Sequence, residues 1–121
     1  MSTQHFLAVY LGDKNNERMK AWQALPEAEQ QAKMKQGLAA WHAWAEKHKA
    51  AIIELGGPLG KTKSIAANGV TDISNALTGF SIVRANSHEE AAKMFENHPH
   101  FTVFPGESVE VMPVLPIPQE K

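Results

Sequence analysis

The apolar positions of this chain follow two periods, and the changes between them mark its elements. From Phe6 to Leu11 every residue is apolar or aromatic, with Phe6, Ala8 and Tyr10 on one side of an extended chain and Leu7, Val9 and Leu11 on the other. A strand apolar on both faces is predicted to be buried on both. Gly12-Asp13-Lys14-Asn15-Asn16 breaks it, and Glu17 to Ala24 reads as a short helix carrying Met19 and Trp22. Pro26 opens a second helix, with Glu27 and Glu29 at its positive end. Its stripe is Met34, Leu38, Trp41, Trp44 or Ala45, His48, Ile52 and Leu55, advancing by threes and fours. The pattern predicts a helix of ~30 residues, about 45 Å long, with Gly37 as a place to bend and Gly56-Gly57-Pro58 as its end.

The period then shortens. Leu59 to Ala66 alternates Lys61 and Lys63 with Thr62 and Ser64, the polarity of an edge strand. Asn68-Gly69 signals a turn, and Val70 to Leu77 reads as a longer loop. Gly79 to Ala85 is a β-branched and aromatic strand. Ser87-His88-Glu89-Glu90 has the spacing of a capping box, and Ala91, Met94 and Phe95 form the buried stripe of the helix that follows. Asn97 suits a left-handed helix exit, and Pro99 prevents continuation. Pro105-Gly106 turns the chain into a last strand, Glu107 to Leu115, with Val109 and Val111 on one face. Pro113, Pro116 and Pro118 limit that strand, and Gln119-Glu120-Lys121 is expected to be loose.

The order β, α, β, β, α, β predicts an α+β, ferredoxin-like fold: a four-stranded antiparallel sheet with both helices on one face. The other face then lacks cover. Ser81, Val83 and Ala85 oppose Phe80 and Ile82, and the first strand is apolar on both sides. A second layer is required, and the expected source is a second copy: a homodimer joined through the sheet faces, with Val83 near the contact.

Composition narrows the function classes. At 121 residues the chain is expected to form a single domain, residues 1–121, with one core. The formal net charge of −1 offers no electrostatic case for nucleic acid or an acidic membrane as partner. The absence of cysteine removes disulfides, thiolate nucleophiles and Cys-type zinc sites, and fits a cytoplasmic setting. The start, Met1-Ser2-Thr3-Gln4-His5, has neither the basic segment nor the apolar run of a signal peptide or membrane span.

Several stretches together resemble the YCII-related family. They are Gly56-Gly57-Pro58-Leu59-Gly60, Thr78 to Val83, the helix at Glu89-Glu90-Ala91, His98-Pro99-His100, and Ser108-Val109-Glu110-Val111. The resemblance covers about Trp41 to Pro116, and the first strand more loosely. It implies a dimeric α/β barrel, in which two ferredoxin-like sheets pack face to face, and small proteins suspected of being enzymes. The better-understood branch pairs a histidine on the long helix with an aspartate just before a proline. Here His98 stands at the aspartate's place before Pro99, and the helix position falls near Trp41, with His42 one residue on. The pair does not carry over. The location of a pocket does, between the long helix and the loop after the second helix.

His98 and His100 are the chemical candidates of that loop, with His98 as acid or base; the plain reading is two rings hydrogen-bonded to backbone carbonyls. A metal site would need a third ligand such as Glu107 or His5, and no spacing argues for one. Trp41 and Trp44 either line an apolar ligand cavity or simply pack the core. His42 adds a titratable group on the same helix, six residues from His48 and therefore on another face. Arg84 offers a cation for an anionic ligand group or is solvated at a strand end. Gly60-Lys61-Thr62 is no phosphate loop, because Leu55 stands where the first glycine belongs and a helix precedes it. Ser64, Ser81 and Ser108 lack the context of a nucleophile.

Two functions remain. One is an enzyme acting on a small, partly apolar organic molecule with His98 as acid or base, for which the sequence requires no cofactor. The other is a non-catalytic metabolite-binding or interaction protein that uses the same dimer cavity.

Overall fold

The computed structural model describes residues 4–13 and 15–118; the Met1-Ser2-Thr3 start, Lys14 and the Gln119-Glu120-Lys121 tail lie outside it. Strand β1 (Gln4–Leu11) leads to α1 (Glu17–Ala24) and α2 (Glu27–Lys47). Then come β2 (Ile52–Pro58), the pair β3 (Thr62–Ala66) and β4 (Gly69–Ile73), and β5 (Leu77–Ala85). Helices α3 (His88–Lys93) and α4 (Pro99–Thr102) precede β6 (Ser108–Pro113). The main sheet has the order β2-β5-β1-β6, with every neighbouring pair antiparallel. This is an α+β chain with a four-stranded antiparallel sheet, in the strand order expected of a ferredoxin-like arrangement. Among the described residues no helix is long and apolar enough to cross a membrane.

Alternation along the central strands builds the core. Phe6, Ala8 and Tyr10 of β1 and Ser81, Val83 and Ala85 of β5 turn to one face and are buried. Trp44 of α2, Ala91 of α3 and Phe95 cover that face. The opposite face carries Leu7, Val9, Phe80, Ile82 and Met112, all partly exposed, with the exposed Glu110 paired to Val9 and Glu54 paired to Ile82 on its outer strands. Register joins them across three strands, Leu7 beside Ile82 and Met112, and Val9 beside Phe80. Val83 is therefore a core residue, and its expected place at a sheet-face contact is corrected: β5 is apolar in both registers, so alternation alone does not say which set turns inward.

The structure shortens the long helix. α2 ends at Lys47, and Ile52 to Pro58 is not its last turns but the edge strand beside β5. Ile52 and Leu55 happen to continue a helical stripe. The adjacent β-branched pair Ile52-Ile53 and the open edge of β5 favour the extended form. Met34 and Leu38 of the expected stripe are about half exposed. Gly37 is buried and serves close approach: a Cβ there would stand 2.5 Å from the Phe104 ring.

Leu59 to Ala66 is not the sheet edge either. Its strand portion, β3, pairs only with β4, placed in the supposed loop after Asn68-Gly69, and the two form a separate two-stranded sheet. The start and exit signals of the next helix hold, although α3 itself ends at Lys93, before Met94 and Phe95 of the expected stripe. The Ser87 hydroxyl accepts from the Glu90 amide at 3.1 Å, and Asn97 takes a left-handed φ of 57°. Ser87→Ala removes that acceptor and should lower stability by about 0.5–2 kcal/mol. A urea midpoint unchanged by the substitution would remove Ser87 as the cap.

Candidate functional site

A cavity of about 530 Å³ opens at the end of the sheet where β1 leaves and β5 begins. One wall is α2, through Leu38, Trp41 and His42. The facing wall is the end of β2, Leu55 to Pro58, with Thr78, Gly79 and Phe80 of β5. Tyr10, His100 and Phe104 close the inner end. Among the described residues no Asp, Glu, Lys or Arg lines it. Its chemistry is that of aromatic rings, glycine backbone and two imidazoles. Such a surface suits a flat, uncharged, mostly apolar molecule.

His100 is held from three sides. Its Nε2 lies 2.8 Å from the Leu11 carbonyl, which can only accept, so Nε2 carries the proton. In the neutral ring Nδ1 is then the bare acceptor. Gly106 makes room for the ring, since a Cβ at that position would collide with it, and the Gly106 amide donates to the His100 carbonyl at 3.0 Å. Burial lowers the His100 pKa more than the Leu11 carbonyl raises it, so the ring is neutral near pH 7.

His98 lies deeper and lends no surface to the cavity. Its ring is fully buried at the N-cap of α4, and its Nδ1 accepts from the His100 amide at 3.0 Å. The ring packs edgewise on Trp41 at 4.4 Å and Trp44 at 4.7 Å, and near Tyr10 at 5.2 Å. With Nδ1 accepting, Nε2 carries the proton, and it has no hydrogen-bond partner. Burial, with like charge from His100 and His48 added, lowers the pKa to about 3. His98 thus organises the turn that aims His100.

Tyr10, the chain's single tyrosine, forms the floor. Its hydroxyl is 2.8 Å from Ser81 Oγ, which donates to the Leu55 carbonyl at 2.6 Å. The direction is therefore Tyr10 to Ser81 to the backbone of β2. Burial pushes the phenol up to about 12, against the smaller effect of Ser81, so it stays protonated. Ser81 has no nucleophilic part here; it ties the cavity floor to its β2 wall.

Of the residues singled out by sequence, Trp41, His42 and His100 meet in the cavity. Trp44 and His98 stand beside it in the core, where Trp44 Nε1 donates to the Met94 carbonyl at 2.7 Å. Arg84 is exposed, opposite His5 at the far end of β1 and β5. Among the described residues no three His, Asp or Glu side chains gather as metal ligands. Sequence reasoning passed over Tyr10 and Phe104. The signal for Tyr10 was available: it is the last inward position of β1 before the Gly12 break, where a strand end meets loops.

No family model matches the chain, and no curated protein matches it significantly. Among solved structures it is similar to a 5-chloro-2-hydroxyhydroquinone dehydrochlorinase from Burkholderia phenoliruptrix AC1100, in complex with 2,5-dihydroxybenzoquinone. The match has a TM-score of 0.50 and 23% identity, and spans 89% of this chain and 90% of the other. At that identity the likeness is one of fold.

Proposed function

We propose that this protein binds a small, uncharged, hydroxylated ring compound in the cavity between α2 and β5, and moves a proton on it with His100. The supporting observation is an apolar, aromatic cavity with one imidazole whose tautomer is fixed by the Leu11 carbonyl. Nδ1 accepts a proton from a ring hydroxyl, and the low basicity of the buried ring returns it readily. The acid–base part first considered for His98 passes to His100, because His98 is sealed behind the wall and already engaged through Nδ1. Trp41 and Phe104 supply the faces for the ring, and His42 stands at the mouth. The fold likeness to an enzyme solved with a hydroxylated quinone agrees with this class of ligand.

A purely binding role draws on one observation: Tyr10, the other polar group on the floor, is committed to Ser81 and stays protonated, so it is no acid–base partner for His100. The open sheet face completes the reading. We assign it to a second copy, in the face-to-face manner of the YCII-related dimeric barrel, within the cytoplasm.

Titration with hydroquinone and resorcinol, both uncharged near pH 7, followed by tryptophan fluorescence, tests the site through Trp41. Saturable quenching is expected, weakened about tenfold or more by His100→Gln, the loss expected when one buried hydrogen bond goes unmade. Absence of quenching by either compound, or an unchanged affinity in a folded His100→Gln protein, overturns the proposal.

A further inference from the structure

The β3–β4 hairpin has no part in the site, yet it is built to be covered. Its strands pair with each other in a sheet of their own, outside the main one. Ile65 and Val70 are direct cross-strand partners, 75% and 61% exposed. Lys63 and Asp72, the next pair on that face, are joined at 2.7 Å, which keeps the ribbon in register. A two-stranded hairpin alone in water is marginal at best. This one spends two of its five pairs on an exposed apolar patch and an ion pair, and takes no core from its own body.

We propose that the hairpin is an arm that grips a second copy of this chain through Ile65 and Val70. Area selects that partner. The chain exposes 8839 Å², about 2,400 Å² more than the roughly 6,450 Å² expected of a compact monomer of its mass. A stable interface takes about 800 Å² from each partner, so the excess is enough for one. The open sheet face supplies Leu7, Val9, Phe80 and Ile82 at its centre, but Glu110 beside Val9 and Glu54 beside Ile82 limit its apolar part to the two central strands. The arm adds Ile65 and Val70, which are among the most exposed large apolar residues of the chain. It is also attached in the right place. It leaves from β2 and returns into β5, the two strands that carry one cavity wall. The Leu59 amide donates to the Thr78 carbonyl at 2.9 Å, and the Gly12 amide to Ala76 at 2.9 Å, so its root is fastened to the rim. Gripping a partner thus fixes the cavity rim, and each copy steadies its site through the other.

This inference rests on the dimer reading, and the experiment separates the two. Sedimentation of the full chain would compare wild type with Ile65→Asp/Val70→Asp on the arm and Ile82→Asp on the sheet face. Wild type is expected to be dimeric, and the arm variant to dissociate at least tenfold more readily, with unchanged far-ultraviolet circular dichroism. Ile65→Thr/Val70→Thr keeps strand propensity, and should weaken the dimer in the same direction; it separates loss of the apolar patch from loss of the hairpin. An arm variant that dimerises as tightly as wild type, while Ile82→Asp is monomeric, overturns the arm and leaves the sheet-face dimer standing. A dimer broken by the arm variant but not by Ile82→Asp keeps the arm and removes the sheet face. A monomeric wild type at high micromolar concentration overturns both.

Discussion

Val83→Lys should unfold the chain rather than dissociate a dimer. Val83 has no exposed surface and sits opposite Phe6 and Ile52 in the register of β1 and β2. The core around it consists of Phe6, Ala8, Trp44, Ala91 and Phe95, none of which can pair with an ammonium group. An uncompensated buried charge costs about 3–5 kcal/mol. Against a total stability of about 5–15 kcal/mol for an ordinary domain, that removes most of the margin at the lower end of the range, where a small domain of this size belongs. The expected result is loss of the urea transition or a midpoint shifted close to zero denaturant. Ile82→Asp, one residue away on the open face, should leave the transition of the isolated chain nearly in place. The contrast between adjacent positions is the test. A Val83→Lys protein that unfolds with the wild-type midpoint would show that the two faces of β5 have been exchanged.

That exchange is where the sequence was least legible. β5 reads Phe80, Ser81, Ile82, Val83, and the larger residues fall on the open face while a serine goes into the core. Hydrophobicity alone points the wrong way. Ser81 is inside because Tyr10 and the Leu55 carbonyl satisfy its hydroxyl, a long-range arrangement that no window of neighbours contains. The end of α2 failed for a similar reason. Ile52 and Leu55 fit both a helical stripe and a strand, and pairing with β5 decided between them. By contrast, β1, α1, the Ser87 cap and the Asn97 exit were readable, because each rests on local chemistry.

The site divides in the same way. Helical spacing placed Trp41 and His42 on α2, and the His98-Pro99-His100 run marked the opposite loop. Which of the two histidines meets the cavity was not local information. Pro99 begins a short helix rather than a plain loop, so His98 becomes its N-cap and turns inward, while His100 swings toward Leu11. Gly106, six residues on, decides that His100 fits at all.

Stability should fall steeply in mild acid, and His98 should be the main cause. The folded ring has its pKa lowered to about 3 from 6.5, chiefly by burial, while the unfolded ring keeps the ordinary value. Near pH 7 it is neutral in both states and contributes no penalty. As pH falls below the unfolded value of 6.5, the unfolded chain takes up a proton and the folded chain does not, until about 3. The unfolded state binds more protons throughout that window, so stability rises with pH and drops as pH falls. The slope is at most about 1.4 kcal/mol per pH unit, or roughly 2 kcal/mol between about pH 6 and 4.5. His100 shifts in the same direction and adds to it. His98→Gln deletes the titrating group, while its side-chain oxygen can still accept from the His100 amide. It should lower stability at pH 7, through lost packing on Trp41 and Trp44, but flatten the acid slope. Urea unfolding of both proteins at several pH values between 7 and 4 reads the difference in slope directly. Parallel curves would mean that the His98 ring is protonated as easily in the folded chain as in the unfolded one, and the buried, neutral imidazole that aims His100 would have to be abandoned.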